Sequence, residues 1–313
     1  MQLFRYAAAG APKGAVVAIG NFDGVHLGHR AVIAAARKIA RDAKVPLAIL
    51  TFEPHPRSVF VPDGQPFRLT PFRAKTALIQ REWVDLLFTL RFDRTFGAET
   101  AEAFVRDLLV ARLGISHAVV GQDFTFGRGR GGNPDLLRAM GASHGFGVTV
   151  LQPVADAGGK VASASRIREH LAQGQPTAAA ELLGRNWEIE GRVQRGDKRG
   201  RELGFPTANL PIADYLHPAP GVYAVRAGVL DKGGLYWHDG VANFGNRPTF
   251  AGQDWRLETH IFDFDRDLYG QHLRVALVDF IRPDAKFDSA DALVAAIHDD
   301  AAKARSVLKR GRD

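Results

Sequence analysis

Residues 15–29 read AVVAIGNFDGVHLGH, and this stretch decides the architecture of the first half of the chain. Residues 15–19 are a short apolar run of the kind that forms a buried strand, rich in β-branched side chains that suit a pleated surface. Gly20, Gly24 and Gly28 punctuate the turn after it. From residue 28 to residue 42 apolar residues recur at Val32, Ile33, Ala36 and Ile39, the spacing of one helix face. A strand that passes through a glycine-bearing turn into a helix is suited to phosphate. The first N–H groups of the helix lack intrahelical acceptors, its dipole favours an anion, and the glycines admit a close backbone approach. His26 and His29 are three apart, hence on one face of the first turn, where imidazoles can donate hydrogen bonds to charge developing on an α-phosphate. Phe22 and Asp23 belong to the same turn.

Working outward, the alternation continues. Strands are expected at 47–52, 85–90, 118–121 and 148–153, with helices at 72–82, 101–113 and 134–143 and shorter ones at 167–172 and 177–183. That order predicts a Rossmann-like parallel sheet with helices on both faces. Beyond residue 187 the pattern changes to short strands at 187–193, 221–227, 236–244, 256–264 and 272–281, separated by Gly, Pro, Asp and Asn. This predicts an antiparallel barrel or sandwich, closed by an amphipathic helix at 289–308. The domain boundary is expected near 184–186, which gives domains of 1–184 and 185–313.

Composition narrows the function classes. The 313 residues contain no cysteine, which excludes disulfides, thiolate metal sites and cysteine nucleophiles and suits a cytoplasmic setting. No apolar run approaches the roughly 18 residues that span a bilayer, and no signal peptide is read at the N-terminus. The net charge of +7 is dispersed and accompanies no nucleic-acid module, so it is assigned to small-polyphosphate pockets and solvated arginines. Neither a nucleic-acid nor a membrane partner is expected.

The histidine loop needs a second phosphate element, and Ser163, Ser165, Arg166 and Arg168 supply hydroxyls and cations just ahead of a helix. Two further segments follow predicted strands, where open α/β sheets bind ligands. One carries Phe52, His55 and Pro56; the other carries Asp123 and Phe124, whose rings can pack on a flat ligand. The run 127–132 satisfies G-x-G-x-x-G, but residues 123–126 separate it from its strand, so it is read as a basic loop. No P-loop sequence occurs.

A second phosphate site is expected in the other half. Gly196, Lys198, Gly200, Arg201 and Gly204 form a glycine-rich basic loop that runs into Pro206, Thr207 and Asn209. Thr207 and Asn209 bring oxygen ligands of the type Mg²⁺ accepts beside phosphates. Glu258 shares a strand face with His260 and Phe262, placed to act as general base toward a hydroxyl.

The motifs GNFDGVHLGH, TFEPHP, VGQDFTFG, SASRIR, GRELGFPTAN, GVANFGNRPTF and LETHIFDFDRDLYG occur in that order. Together they resemble the prokaryotic bifunctional riboflavin kinase/FMN adenylyltransferase (FAD synthetase) family over nearly the whole chain. The resemblance implies an N-terminal nucleotidyltransferase domain and a C-terminal β-barrel kinase domain with a terminal helix. It implies ATP-dependent phosphorylation of riboflavin to FMN, then adenylylation of FMN to FAD, with Mg²⁺ as cofactor. His26 and His29 match the family's transition-state stabilisers and Glu258 its general base; Thr207 and Asn209 match its metal and nucleotide site. Ala164 stands where relatives often carry a serine, so one hydroxyl is missing. A nucleotidyltransferase with another phosphorylated acceptor, or a non-catalytic flavin- or RNA-binding protein, are the rival readings. The first leaves GFPTAN unexplained, and the second predicts binding without turnover.

Overall fold

The computed structural model describes the chain except residues 6–9, 63, 157, 196–203, 213, 250–251 and 311–313, and leaves the side chains of 247–249 and 252–254 aside as well. The chain forms two compact units, residues 1–65 with 70–163, and residues 66–69 with 164–313.

The first unit holds β1 (Gln2–Arg5), β2 (Val16–Ile19), α1 (Leu27–Ala43), β3 (Leu47–Glu53), α2 (Pro56–Phe60), α3 (Phe72–Gln80), β4 (Leu86–Arg91) and α4 (Arg94–Gly97). Next come α5 (Ala101–Ala103), running on as a π-helical stretch Phe104–Arg112, then β5 (His117–Gly121), α6 (Pro134–His144) and β6 (Gly147–Leu151). The strands make one parallel sheet in the order β1-β4-β3-β2-β5-β6. Alternate residues of β2 feed opposite faces. Val16 and Ala18 pack with Val32, Ile33, Ala36 and Ala40 of α1 and Ile79 of α3; Val17 and Ile19 pack with Phe104, Val105, Leu108 and Leu109 of the π-helical stretch. The expected Rossmann-like sheet with helices on both faces is what forms. The chain order reverses at β2, which has β3 on one side and β5 on the other. Open α/β sheets bind ligands outside the carboxyl ends of the strands at such a reversal.

The second unit contains α7 (Ala164–Ala172), α8 (Pro176–Leu183), β7 (Trp187–Arg192), β8 (Ala208–Pro211), β9 (Gly221–Asp231), β10 (Gly234–Thr249), β11 (Gly252–Ile261), β12 (His272–Pro283) and α9 (Ala290–Arg310). Its sheet is antiparallel throughout, in the order β7-β12-β9-β10-β11-β8. A bridge between Gln194 and Asn209, with the Gln194 N–H donating to the Asn209 carbonyl at 2.9 Å, links the strand ends at the two edges. The barrel of the two expected antiparallel forms is therefore the one adopted. Helix α9 covers one side of it, burying Ala304 and Leu308 against Val222, Ala224, Val241 and Phe262.

Several boundaries differ from the sequence reading. Strand β6 stops at Leu151, and the helix expected at 101–113 turns π-helical from Phe104. Strand β11 ends at Ile261 because Asp263 adopts a positive φ of 55°. Strands β1 and β8 were not expected as strands.

Candidate active sites

In the first unit the chain leaves β2 at Ile19 and turns through Phe22, Gly24 and Val25, all with positive φ, before His26 caps α1 with extended dihedrals. The His26 Nδ1 accepts from the His29 N–H at 3.4 Å. An accepting Nδ1 leaves the ring proton at Nε2, so His26 is a donor on its other edge. The rings of His26 and His29 stack with centroids 3.7 Å apart, and Phe22 lies 5.1 Å from His29. The two imidazoles thus meet at the helix N-terminus, as their spacing predicted. Gly28 allows this: a Cβ there would lie 3.1 Å from His26 Cε1 and 3.4 Å from the Ala162 carbonyl. Gly20 donates its N–H to the Leu50 carbonyl at 3.1 Å, tying the start of the loop to β3.

Asp23 is buried, and its Oδ1 accepts from the Thr70 N–H at 2.9 Å, so this carboxylate anchors the loop. Beyond β5, on the other side of the reversal, the Phe124 N–H donates to the Gly121 carbonyl at 3.1 Å and the turn carries Asp123. A Cβ on Gly121 would come within 2.9 Å of Asp123 Oδ1, so the carboxylate folds back over the glycine. Phe124 stacks on Phe126 at 5.3 Å. Reciprocal bonds between Phe126 and Gly132 close the 127–132 loop on itself, in agreement with its reading as a loop.

At the end of β3, His55 caps α2 by accepting from the Arg57 N–H at 3.1 Å, with Pro56 as the first helical residue. Phe52 is 8% exposed and packs against Phe92 and Phe96 at 5.9 and 6.0 Å. Its ring belongs to the core, and the sequence reading missed both partners. Ser163 closes the first unit, while Ser165, Arg166 and Arg168 stand on α7 of the second. There the Arg168 Nε donates to the Phe67 carbonyl at 2.7 Å and its guanidinium lies 5.4 Å from the Phe67 ring centroid.

In the second unit Glu258 of β11 pairs with Asn209 of β8 on one side and Asn243 of β10 on the other. The neighbouring pair Leu257–Leu210 is fully buried, so the polar row occupies the opposite face. Asn209 is 5% exposed; its Nδ2 reaches the Thr207 carbonyl at 3.4 Å, and its Oδ1 has no hydrogen-bond partner among the described residues. A buried amide oxygen without a donor is costly, and it is the group a hard cation or a donating ligand satisfies. The Asn209 amide oxygen therefore fits a hard cation such as Mg²⁺, while the Thr207 carbonyl beside it already accepts from the Asn209 amide. No group of three or more His, Cys, Asp or Glu side chains among the described residues forms a separate metal cage. The segment before β8 is held by His260, whose Nδ1 bonds the Pro206 carbonyl at 2.9 Å, and by Phe205 packed 4.8 Å from His298. Gly204 turns there with φ +85°. The expected loop residues Gly196, Lys198, Gly200 and Arg201 lie outside the described residues. Asn243 joins the polar row, because alternation with buried Ala242 and Phe244 places it on the Glu258 face, a position its motif alone does not reveal.

Two family profiles match successive parts of the chain: FAD synthetase over residues 9–165 and riboflavin kinase over residues 183–308. The bifunctional riboflavin kinase/FMN adenylyltransferase of Escherichia coli (strain K12) is 42% identical over 293 residues, covering 94% of this chain and 92% of the relative. Its namesake from Haemophilus influenzae is 39% identical over 308 residues, covering 98% and 99%. A crystal structure of a macrolide-efflux protein from Streptococcus pneumoniae superposes with a TM-score of 0.84 at 32% identity, over 95% of this chain and 97% of that one. Among the described residues no helix is long and apolar enough to cross a membrane.

Proposed function

The chain belongs to the bifunctional riboflavin kinase/FMN adenylyltransferase family, and on that premise we propose how its two reactions are distributed over its residues. It is an enzyme of flavin cofactor synthesis that phosphorylates riboflavin with ATP and adenylylates the resulting FMN to FAD. Residues 1–184 carry the adenylyl transfer and residues 185–313 the kinase step. One observation supports this division above all: the stacked His26–His29 pair sits at a helix N-terminus in one unit, and the only carboxylate in the Asn209–Glu258–Asn243 row is in the other.

In adenylyl transfer an oxygen of the FMN phosphate attacks the α-phosphorus of ATP, and the bond to the β-phosphate breaks to release pyrophosphate. The nucleophile is already anionic, so the protein needs charge stabilisation more than a base. His26 and His29, with the loop of Gly20, Phe22, Asp23, Gly24 and Gly28, stabilise the α-phosphate; Asp123 joins them in binding ATP. Ser163, Ser165, Arg166 and Arg168 serve the departing pyrophosphate. His55, Pro56 and Phe124 seat the flavin, with Phe52 behind them.

In the kinase step a ribityl hydroxyl is a poor nucleophile, and Glu258 accepts its proton as the γ-phosphoryl group is transferred. Gly196, Lys198, Gly200, Arg201, Gly204 and Pro206 bind the ATP. Thr207 and Asn209 would hold Mg²⁺, which when bound would offset the phosphate charge. The same proposal takes riboflavin, FMN and ATP as partners rather than nucleic acid or a membrane. It sets both steps in the cytoplasm, since ATP is the donor in each.

The test is chromatography of products formed by the purified protein from riboflavin, ATP and Mg²⁺. FMN and then FAD are expected; absence of both refutes the reading. Glu258→Ala should abolish FMN formation and leave FMN-to-FAD conversion, and His29→Ala should do the reverse. Loss of both activities from either change in folded protein would sink the two-site assignment.

A further inference from the structure

Buried polar side chains are costly unless paired, and three from outside the histidine motif are buried beside its loop: Thr51 at 0%, Thr70 at 4% and Lys75 at 3% exposure. The loop itself is strained. Phe22 has φ +51° and Val25 φ +43°, on either side of Gly24 at +81°. Glycine adopts such angles freely, whereas a bulky aromatic and a β-branched residue do so only where the surroundings over-determine them.

Two clamps supply those surroundings. In the first, the Gly24 N–H donates to Thr70 Oγ1 at 2.8 Å, while the Thr70 N–H and hydroxyl donate to Asp23 Oδ1 at 2.9 and 3.3 Å. In the second, Lys75 Nζ donates to the Asn21 carbonyl at 3.3 Å and to Thr51 Oγ1 at 3.4 Å, and the Thr51 hydroxyl donates to the same carbonyl at 3.1 Å. Glu53 Oε2, 3.6 Å from Lys75 Nζ, balances the ammonium. Two donors on one carbonyl fix the plane of the 21–22 peptide. A planar trans peptide then fixes the Phe22 N–H antiparallel to that carbonyl.

We propose that Thr70 and Lys75 are positioning residues for adenylyl transfer, clamping the strained 20–25 loop so that His26 and His29 stand oriented before ATP arrives. The inference rests on the reading of this loop as the adenylyl-transfer site. Orientation set in advance costs no reorganisation during the reaction, which is where such sites gain most of their effect. Neither residue touches the phosphates in this scheme; each acts through the backbone of the loop.

Thr70→Val keeps the shape of the side chain and removes both hydroxyl bonds. Lys75→Met keeps most of the apolar stem and removes the ammonium. In the full-length protein each should lower kcat for FMN-to-FAD conversion about 30-fold, since small misplacements of catalytic groups cost up to about 100-fold. The KM for ATP should rise by less than kcat falls, because the loop that meets the α-phosphate is loosened while the phosphate-binding cations are untouched, and Thr70→Ser should recover kcat to within about threefold of wild type. Amide exchange should quicken across residues 20–29 and stay unchanged in β3 and β4, with riboflavin phosphorylation unaltered in the same samples. The clamp is overturned by unchanged kcat in both Thr70→Val and Lys75→Met, by Thr70→Ser as impaired as Thr70→Val, or by faster exchange spread through β3 and β4. A wild-type protein that makes no FAD overturns the reading of the site and the clamp together, whereas those three results overturn the clamp alone.

Discussion

Gly28→Ala separates stability from chemistry in one atom. Gly28 is the second residue of α1 and has no positive φ, so alanine fits the backbone. Alanine in a helix is favoured over glycine by about 0.5–1 kcal/mol. The added Cβ would sit 3.1 Å from His26 Cε1 and 3.2 Å from Nδ1, inside ordinary van der Waals contact, so the imidazole must move by a few tenths of an ångström. The His26–His29 cap is already long at 3.4 Å and is lost by that shift. A good N-cap is worth about 0.5–2 kcal/mol, and one this long belongs at the lower end. The two effects nearly cancel, so the melting temperature should change by less than about 4 °C. If His26 is the transition-state donor proposed above, displacing it should lower kcat for FAD formation about tenfold, or about 1.4 kcal/mol. The assay is FAD formation from FMN and ATP, followed by chromatography beside a thermal melt, with riboflavin phosphorylation as the internal control. Wild-type FAD turnover in the alanine variant would refute the argument that the His26 ring position matters. A fall in melting temperature above about 10 °C would show that the loss came through unfolding.

Asp300→Ala should destabilise the second unit by about 1.5–3 kcal/mol, the worth of hydrogen bonds to a charged group, because Asp300 is buried while the Arg282 side chain stays 24% exposed and can turn to water. Asp300 is 3% exposed and receives Arg282 Nε at 2.9 Å and Nη2 at 2.8 Å, so a shift in denaturant midpoint worth under about 1 kcal/mol would contradict this. Acid should weaken the first unit through His117, whose pKa burial lowers from the ordinary 6.5. Its neutral ring bonds Thr149 Oγ1 at 2.8 Å, so the stability it contributes is present above about pH 6.5 and lost as pH falls toward the depressed value. Melting temperatures between pH 5 and 7.5 should therefore flatten in His117→Gln; an equally steep fall in that variant would rule the mechanism out.

The elements that were legible in the sequence are those whose burial is periodic. Helix α1 buries Val32, Ile33, Ala36 and Ala40, and β2 is buried at every position, so local pattern and tertiary environment agree. Strand β1 escaped because it is an edge strand with three of its four residues exposed. Strand β8 is four residues long and ends in Pro211, which reads as a loop. The buried set Phe104, Val105, Leu108 and Leu109 suits an α-helix as well as the π-helical stretch that forms, and nine residues are too few to separate the periods. In the active sites the same division holds. The meeting of the two histidine rings follows from a spacing of three, whereas Thr70 and Lys75 lie 46 and 54 residues from the loop atoms they bind. Only the fold of the sheet and α3 brings them there, and no local spacing encodes it.

The Gln194–Asn209 bridge has a consequence for how this barrel tolerates change in length. Asn209 closes the barrel with its backbone and faces Glu258 with its side chain, so the fold and the proposed kinase site share one residue. Adding or deleting a single residue in β8 would turn Leu210 or Ala208 toward Glu258 and send the amide into the apolar interior. The β9–β10 turn, by contrast, lies at exposed Asp231 and Lys232 and has no part in that register. Insertions should accumulate at the turn and be purged from β8, giving lineages of this fold a fixed strand beside a variable one.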